Sequence, residues 1–140
     1  MIDWSKVETA EARAAKAKAA AQARVLSALE DAAAALTGPI PQAERDSWTK
    51  KEIAARAFLA GEADATQAAV LKCEAALRGV PVEAVAQRII AKADTFALAA
   101  ATIAGLRGRW LGRIAAATSA ARATEIGEAA VREIVMQFAQ

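Results

Sequence analysis

The sequence has no histidine and no tyrosine, and only one cysteine, Cys73. Without imidazole, Ser-His and Cys-His nucleophile pairs, histidine metal sites and imidazole acid-base work are excluded. A lone cysteine excludes an internal disulfide and fits a reducing compartment. Aromatics make up 4% of the chain and β-branched runs are few, so a sheet has little to build on. No run of 18 or more apolar residues is free of charge, and the opening "MIDWSKVETAEARAAK" lacks the apolar segment of a signal peptide. A soluble, cytosolic chain is expected. There is no G-x-x-x-x-G-K-[ST] loop, which removes the usual nucleotide cradle. No cofactor and no metal are expected.

What the chain has instead is alanine, 43 of its 140 residues. Alanine favours helix more than it drives burial, so the hydrophobic fraction of 56% overstates the core, which rests on a short list of Leu, Ile, Val, Phe and Trp. The fold class expected is all-α, a helical bundle of four to five helices. The division expected is a long N-terminal helix over 1–38, projecting or oligomerising, followed by a bundle over 43–140.

Ser5 and Glu8 have the S-x-x-E spacing of a reciprocal cap, and nothing breaks a helix from there to about Leu36. "TGPIPQ" ends it, because Gly38 accepts a left-handed cap and two prolines cannot continue the ladder. A second helix is expected within "AERDSWTKKEIAARAFLAG", with Trp48, Ile53 or Glu52, Ala55 and Leu59 near helical spacing, capped at its start or at Asp46 or Ser47 and stopped by Gly61. A third runs from about Thr66 to Arg78 with Val70, Leu77 and Cys73 or Glu74 inward; Cys73 then reads as a small buried hydrophobe. In the fourth, Val82, Ile89, Phe96, Ile103, Trp110 and Ala117 recur every seven residues, with Val85, Ala99 and Leu106 at alternate positions: a packing seam interrupted by Lys92 and Arg113. The last segment carries Ile126, Ile134 and Phe138 at helical spacing, with Gly127 as a point of bending.

Charge is nearly balanced, +2 overall with 18 Lys and Arg against 16 Asp and Glu. Carboxylate pairs such as Glu8/Glu11 and Glu125/Glu128 sit on surface-like stretches, where solvation accounts for them better than acid-base work, and no enzyme is expected. The basic residues of the first helix (Lys6, Arg13, Lys16, Lys18, Arg24) interleave with acids and read as a solvated face. The densest cationic stretch is "LRGRWLGR", Leu106–Arg113. At about 100° per residue Trp110 falls with Ile103, Leu106 and Ile114, Arg107, Arg109 and Arg113 fall at the margins of that stripe, and Gly105, Gly108 and Gly112 share the opposite side. Arginines at margins cover apolar surface with their stems, and three glycines on one side permit close approach by another element.

The run "AERDSWTKKEIAARAFLAG…RGVPVEAVAQRIIAKAD…" resembles a segment common in tailed-bacteriophage and prophage proteins, among them tail-fibre, tail-fibre-assembly and other helical tail proteins. The "ERDSW" entry, the "RAFLA" helix, "RGVPVEAVAQRIIAKAD" and a G-x-R pattern before the last helix carry the likeness. The opening "MIDWSKVETAEARAAKAKAAA" is similar to tail-module sequence as well, so about three quarters of the chain is covered. The resemblance implies a small helical phage protein that works by binding other tail proteins, a trimeric fibre among them, in the host cytoplasm during assembly or in the virion tail. Self-association through the seam is a further expectation. A β-rich receptor-binding part has no counterpart here, so direct receptor binding is not expected.

The residues to which such contacts are assigned are Trp48, Phe58, Trp110 and Phe138, since large aromatics dominate interface energetics, with Arg107, Arg109 and Arg113 beside them. The same aromatics would serve equally as the chain's own core. The alternative function is a small nucleic-acid-associated or host-directed regulator, motivated by the pI near 8.9 and "RGRWLGR"; nucleic acid and membrane are nevertheless not expected as partners, because the cations do not converge on one face.

Overall fold

The computed structural model describes residues 3–139, apart from the side chain of Lys6. The described residues form an all-α protein of five α-helices: α1 (Ala10–Thr37), α2 (Gln42–Leu59), α3 (Ala65–Arg78), α4 (Val82–Ala115) and α5 (Ala120–Phe138). The reciprocal cap expected at Ser5 and Glu8 does not form. Asp3 instead accepts from both the Ser5 amide (3.1 Å) and the Ser5 hydroxyl (2.6 Å), which winds Trp4–Lys6 into one 3-10 turn. The α-helix starts later, where the Thr9 hydroxyl accepts from the Ala12 amide at 3.1 Å, and Glu8 pairs with Lys16 at 2.9 Å.

The breaks between helices follow backbone chemistry. Gly38 and Gly79 take positive φ (64° and 68°) at the ends of α1 and α3, a conformation that costs an L side chain energy. α3 opens on a reciprocal cap: Asp64 accepts from the Gln67 amide at 2.7 Å, and the Gln67 side chain accepts from the Asp64 amide at 2.9 Å. Ser119 caps α5 by accepting from the Arg122 amide.

The chain forms two compact units, and they do not follow the expected division at 38/43. The first joins α1 to the chain from Ala100 onward; the second spans Gly38–Ala99. In the first, Val25 and Leu29 of α1, Leu106, Trp110 and Ile114 of α4, and Ile126 and Ile134 of α5 make one core, with alanines between them. α1 is therefore no projecting arm: it packs along α5. The approach is close at Gly127, where a Cβ would lie 2.9 Å from the Ala21 Cβ and 3.2 Å from its Cα. Gly127 does not bend α5, which is continuous from Ala120 to Phe138; it admits α1. Lys18 fastens the same unit by donating to the Ala115 carbonyl at the end of α4, 2.9 Å away, where a cation is favoured by the helix dipole.

In the second unit Ala54 and Ala55 of α2, Leu71 and Ala75 of α3, and Val85 and Ala86 of α4 are buried together, with Phe58, Ile89 and Ile90 against them. The inward face of α3 thus differs from the one expected. Leu71 and Ala75 point in, Leu77 is 85% exposed, and Cys73 is exposed. An alanine can occupy an inward position as well as a larger residue when helices lie close, so Leu71 sets the rotation and the Val70/Leu77 side is left outside.

Candidate interaction surfaces

Trp110 is 6% exposed and belongs to the core of the first unit, clamped on its faces by cations: the Arg113 guanidinium carbon lies 4.8 Å from the ring centroid and that of Arg109 5.8 Å. Arg109 also ion-pairs with Glu133 of α5. The Trp110 indole N–H is buried and has no hydrogen-bond partner among the described residues. A concavity of about 520 Å³ beside it is lined by Arg113, Thr118, Arg122 and Glu125, and Arg122 closes on Glu125 at 3.1 Å. Two of the three arginines in "LRGRWLGR" are thus engaged inside the unit, and Arg107 is exposed.

The other aromatics assigned from sequence are half-buried. Phe58 packs on the second core and Phe138 on the first, and Trp48 meets Phe96 edge-on with centroids 5.9 Å apart. The exposed aromatics are Trp4 (72%), which spacing did not single out, and Phe96 (41%), which the seven-residue seam had placed at a packing position.

The seam of α4 is occupied at its two ends and open between them. Val85 and Ala86 near its start and Leu106, Trp110 and Ile114 near its end are buried, whereas Leu98 is 73% exposed and no residue from Ile89 to Gly105 is buried. Gly105, Gly108 and Gly112 have nothing within 4 Å of where a Cβ would stand, so the close neighbour expected on that side is absent among the described residues. α4 holds an 18-residue stretch of mean hydropathy 1.5, of which 6% is buried; by length and composition it is apolar enough to cross a membrane. Within the second unit α2 reaches this helix through a charge: Arg56 meets Asp94 at 2.7 Å and Glu52 of its own helix at 3.3 Å, and both hydrogen bonds raise its pKa.

Among carboxyls, Glu74 departs from its ordinary value. Burial by itself would raise it, but the hydrogen bond and charge of Lys51, 2.6 Å away, together with Arg78 and Arg88, hold it below 4.5. That makes it an anion tying α3 to α2, the opposite of a proton donor. Among the described residues no three Cys, Asp or Glu side chains gather as a metal site would need.

Comparison with known proteins yields no matching family model, no matching curated protein and no matching solved structure.

Proposed function

We propose that this chain is a non-enzymatic protein–protein interaction module of a tailed phage, a tail or tail-fibre accessory, assembly or structural component, acting in the host cytoplasm during assembly or in the tail. The observation that carries the interaction part is the open middle of α4. A nearly uncovered, largely apolar stretch on a regular helix is suited to binding, because water is a poor neighbour for it. On the part of α4 that belongs to the second unit, the small side chain of Ala97 leaves room for a partner helix to lie close against the backbone, and Leu98 and Phe96 supply apolar area to bury. Lys92 and Asp94 within this stretch, the latter paired to Arg56, favour a protein partner over lipid, where charges at mid-helix are expensive. The tail assignment rests on the "RGVPVEAVAQRIIAKAD" resemblance.

The test is capture of tail proteins by the tagged full-length chain from cells producing the phage, against Leu98→Glu. Leu98 is exposed, so the variant keeps its fold, as circular dichroism would check. Tail proteins should copurify with the parent chain and be lost with Leu98→Glu. Retention on floated liposomes, or nucleic-acid affinity that falls steeply with salt, would replace this reading.

A further inference from the structure

We propose that the groove between α1 and α5 is a self-association site in which a second copy of this chain docks antiparallel, α1 against α1. This goes beyond the tail reading and concerns a different face. The groove, about 690 Å³, is walled by Ala23, Ser27 and Ala35 of α1 and by Val131, Val135 and Phe138 of α5. Its α1 wall is small, which lets another helix approach closely, and its α5 wall is apolar, with Val135 exposed at 59%.

The charges at the groove select the occupant. Arg24 and Asp31 both line it, seven residues apart on α1 and equally distant from the Ser27–Ala28 peptide. Two turns of helix separate them by about 10.5 Å, too far to neutralise each other directly. Among the described residues Arg24 pairs only with Glu128, at 4.0 Å, and Asp31 has no ion pair. A two-fold axis at Ser27–Ala28 places Arg24 of each copy opposite Asp31 of the other, twice per dimer, as an isologous interface requires. A parallel copy in register would set Arg24 against Arg24 and Asp31 against Asp31, and is rejected by repulsion. The same axis brings small residues to small residues along helices of about 42 Å and covers the apolar α5 wall of each copy with the other's α1.

The experiment is sedimentation equilibrium on the purified full-length chain across a range of concentrations, with Arg24→Glu and Asp31→Arg measured singly and mixed. Each single reversal turns both exchanges into like-charge pairs and should weaken self-association by about tenfold or more. Mixing the two variants makes both exchanges favourable again. The carboxylate introduced by Arg24→Glu then faces the guanidinium introduced by Asp31→Arg, and the unaltered Asp31 of one chain faces the unaltered Arg24 of the other, so a heterodimer of parental strength should form. Circular dichroism checks that each variant is folded. A parent chain that stays monomeric, single variants that associate as well as the parent, or a mixture no tighter than its components would each overturn the proposal. No phage protein is present in this assay, so its failure leaves the α4 reading standing and the reverse also holds.

Discussion

Gly127→Ala and Gly108→Ala are the same chemical change at two positions in helices, and the structure gives them opposite signs. Replacing glycine by alanine inside a helix gains about 1 kcal/mol from the lost freedom of the unfolded chain. At Gly108 nothing stands within 4 Å of the new methyl, so that gain should appear almost whole. At Gly127 the methyl would sit 2.9 Å from the Ala21 Cβ and 3.2 Å from its Cα. The second contact is backbone and cannot rotate away, so α1 and α5 must separate. Overpacking of this kind costs about 1–3 kcal/mol, which leaves Gly127→Ala destabilising by up to about 2 kcal/mol and puts the two variants about 1–3 kcal/mol apart. Urea unfolding read by fluorescence tests it, in a Trp4→Phe, Trp48→Phe background so that only Trp110, in the affected core, reports. Adding Ala21→Gly to Gly127→Ala should recover part of the loss, because the shorter contact goes. Gly127→Ala stabilising as much as Gly108→Ala would show that α1 does not lie against α5 at Ala21.

Trp110→Ala empties the middle of the first core and strands Arg109 and Arg113 without the ring they cover; a loss of about 3–5 kcal/mol is expected in urea unfolding, and an unchanged midpoint would refute its burial. Asp64→Ala removes the carboxylate that accepts from the Gln67 amide, leaving only the bond from the residue-64 amide to the Gln67 side chain, and should cost about 1 kcal/mol, seen as a lower unfolding midpoint of the second unit. Glu74 has a folded pKa below its unfolded value of about 4.5, so its contribution is complete above pH 4.5 and is lost as pH falls through the folded value. The parent chain should therefore lose stability on acidification more steeply than Glu74→Gln, and equal slopes would refute the pairing with Lys51. Cys73 is exposed, so a thiol reagent should label it in the folded protein as fast as in urea; protection would restore the buried reading.

Where a helix must end was written in the chain. Gly38 with Pro39 and Pro41, and Gly79 with Pro81, act through their own backbones, and no tertiary context alters what they forbid. Which side of a helix faces inward was less legible. In α3 a side with Val70 and Leu77 competes with one holding Leu71 and Ala75, and the second wins because small side chains let α2 come close. At Ser5 the spacing to Glu8 suggested a cap, but Asp3 lay nearer and took the hydroxyl. The heptad of α4 was real as a pattern and silent about the partner: Val85 packs in the core of the second unit and Leu106 and Trp110 in that of the first, while Phe96 and Leu98 are exposed. The glycines divide similarly. The three grouped ones have nothing within 4 Å of where a Cβ would stand, while Gly127, isolated among larger residues, is the glycine that lies against another helix, and its only sequence signal was its presence inside an otherwise regular helix.

The fastening of Lys18 to the Ala115 carbonyl spans 97 residues of chain. During synthesis at about 5–20 residues per second, α1 therefore waits roughly 5–20 s before the end of α4 exists to receive it, and α5 emerges later still. The second unit has its whole sequence available by Ala99 and can close in that interval. The order in which partners become available is thus set by topology: the sequence of the second unit is complete before Val25 and Leu29 of α1 can meet the end of α4 and α5.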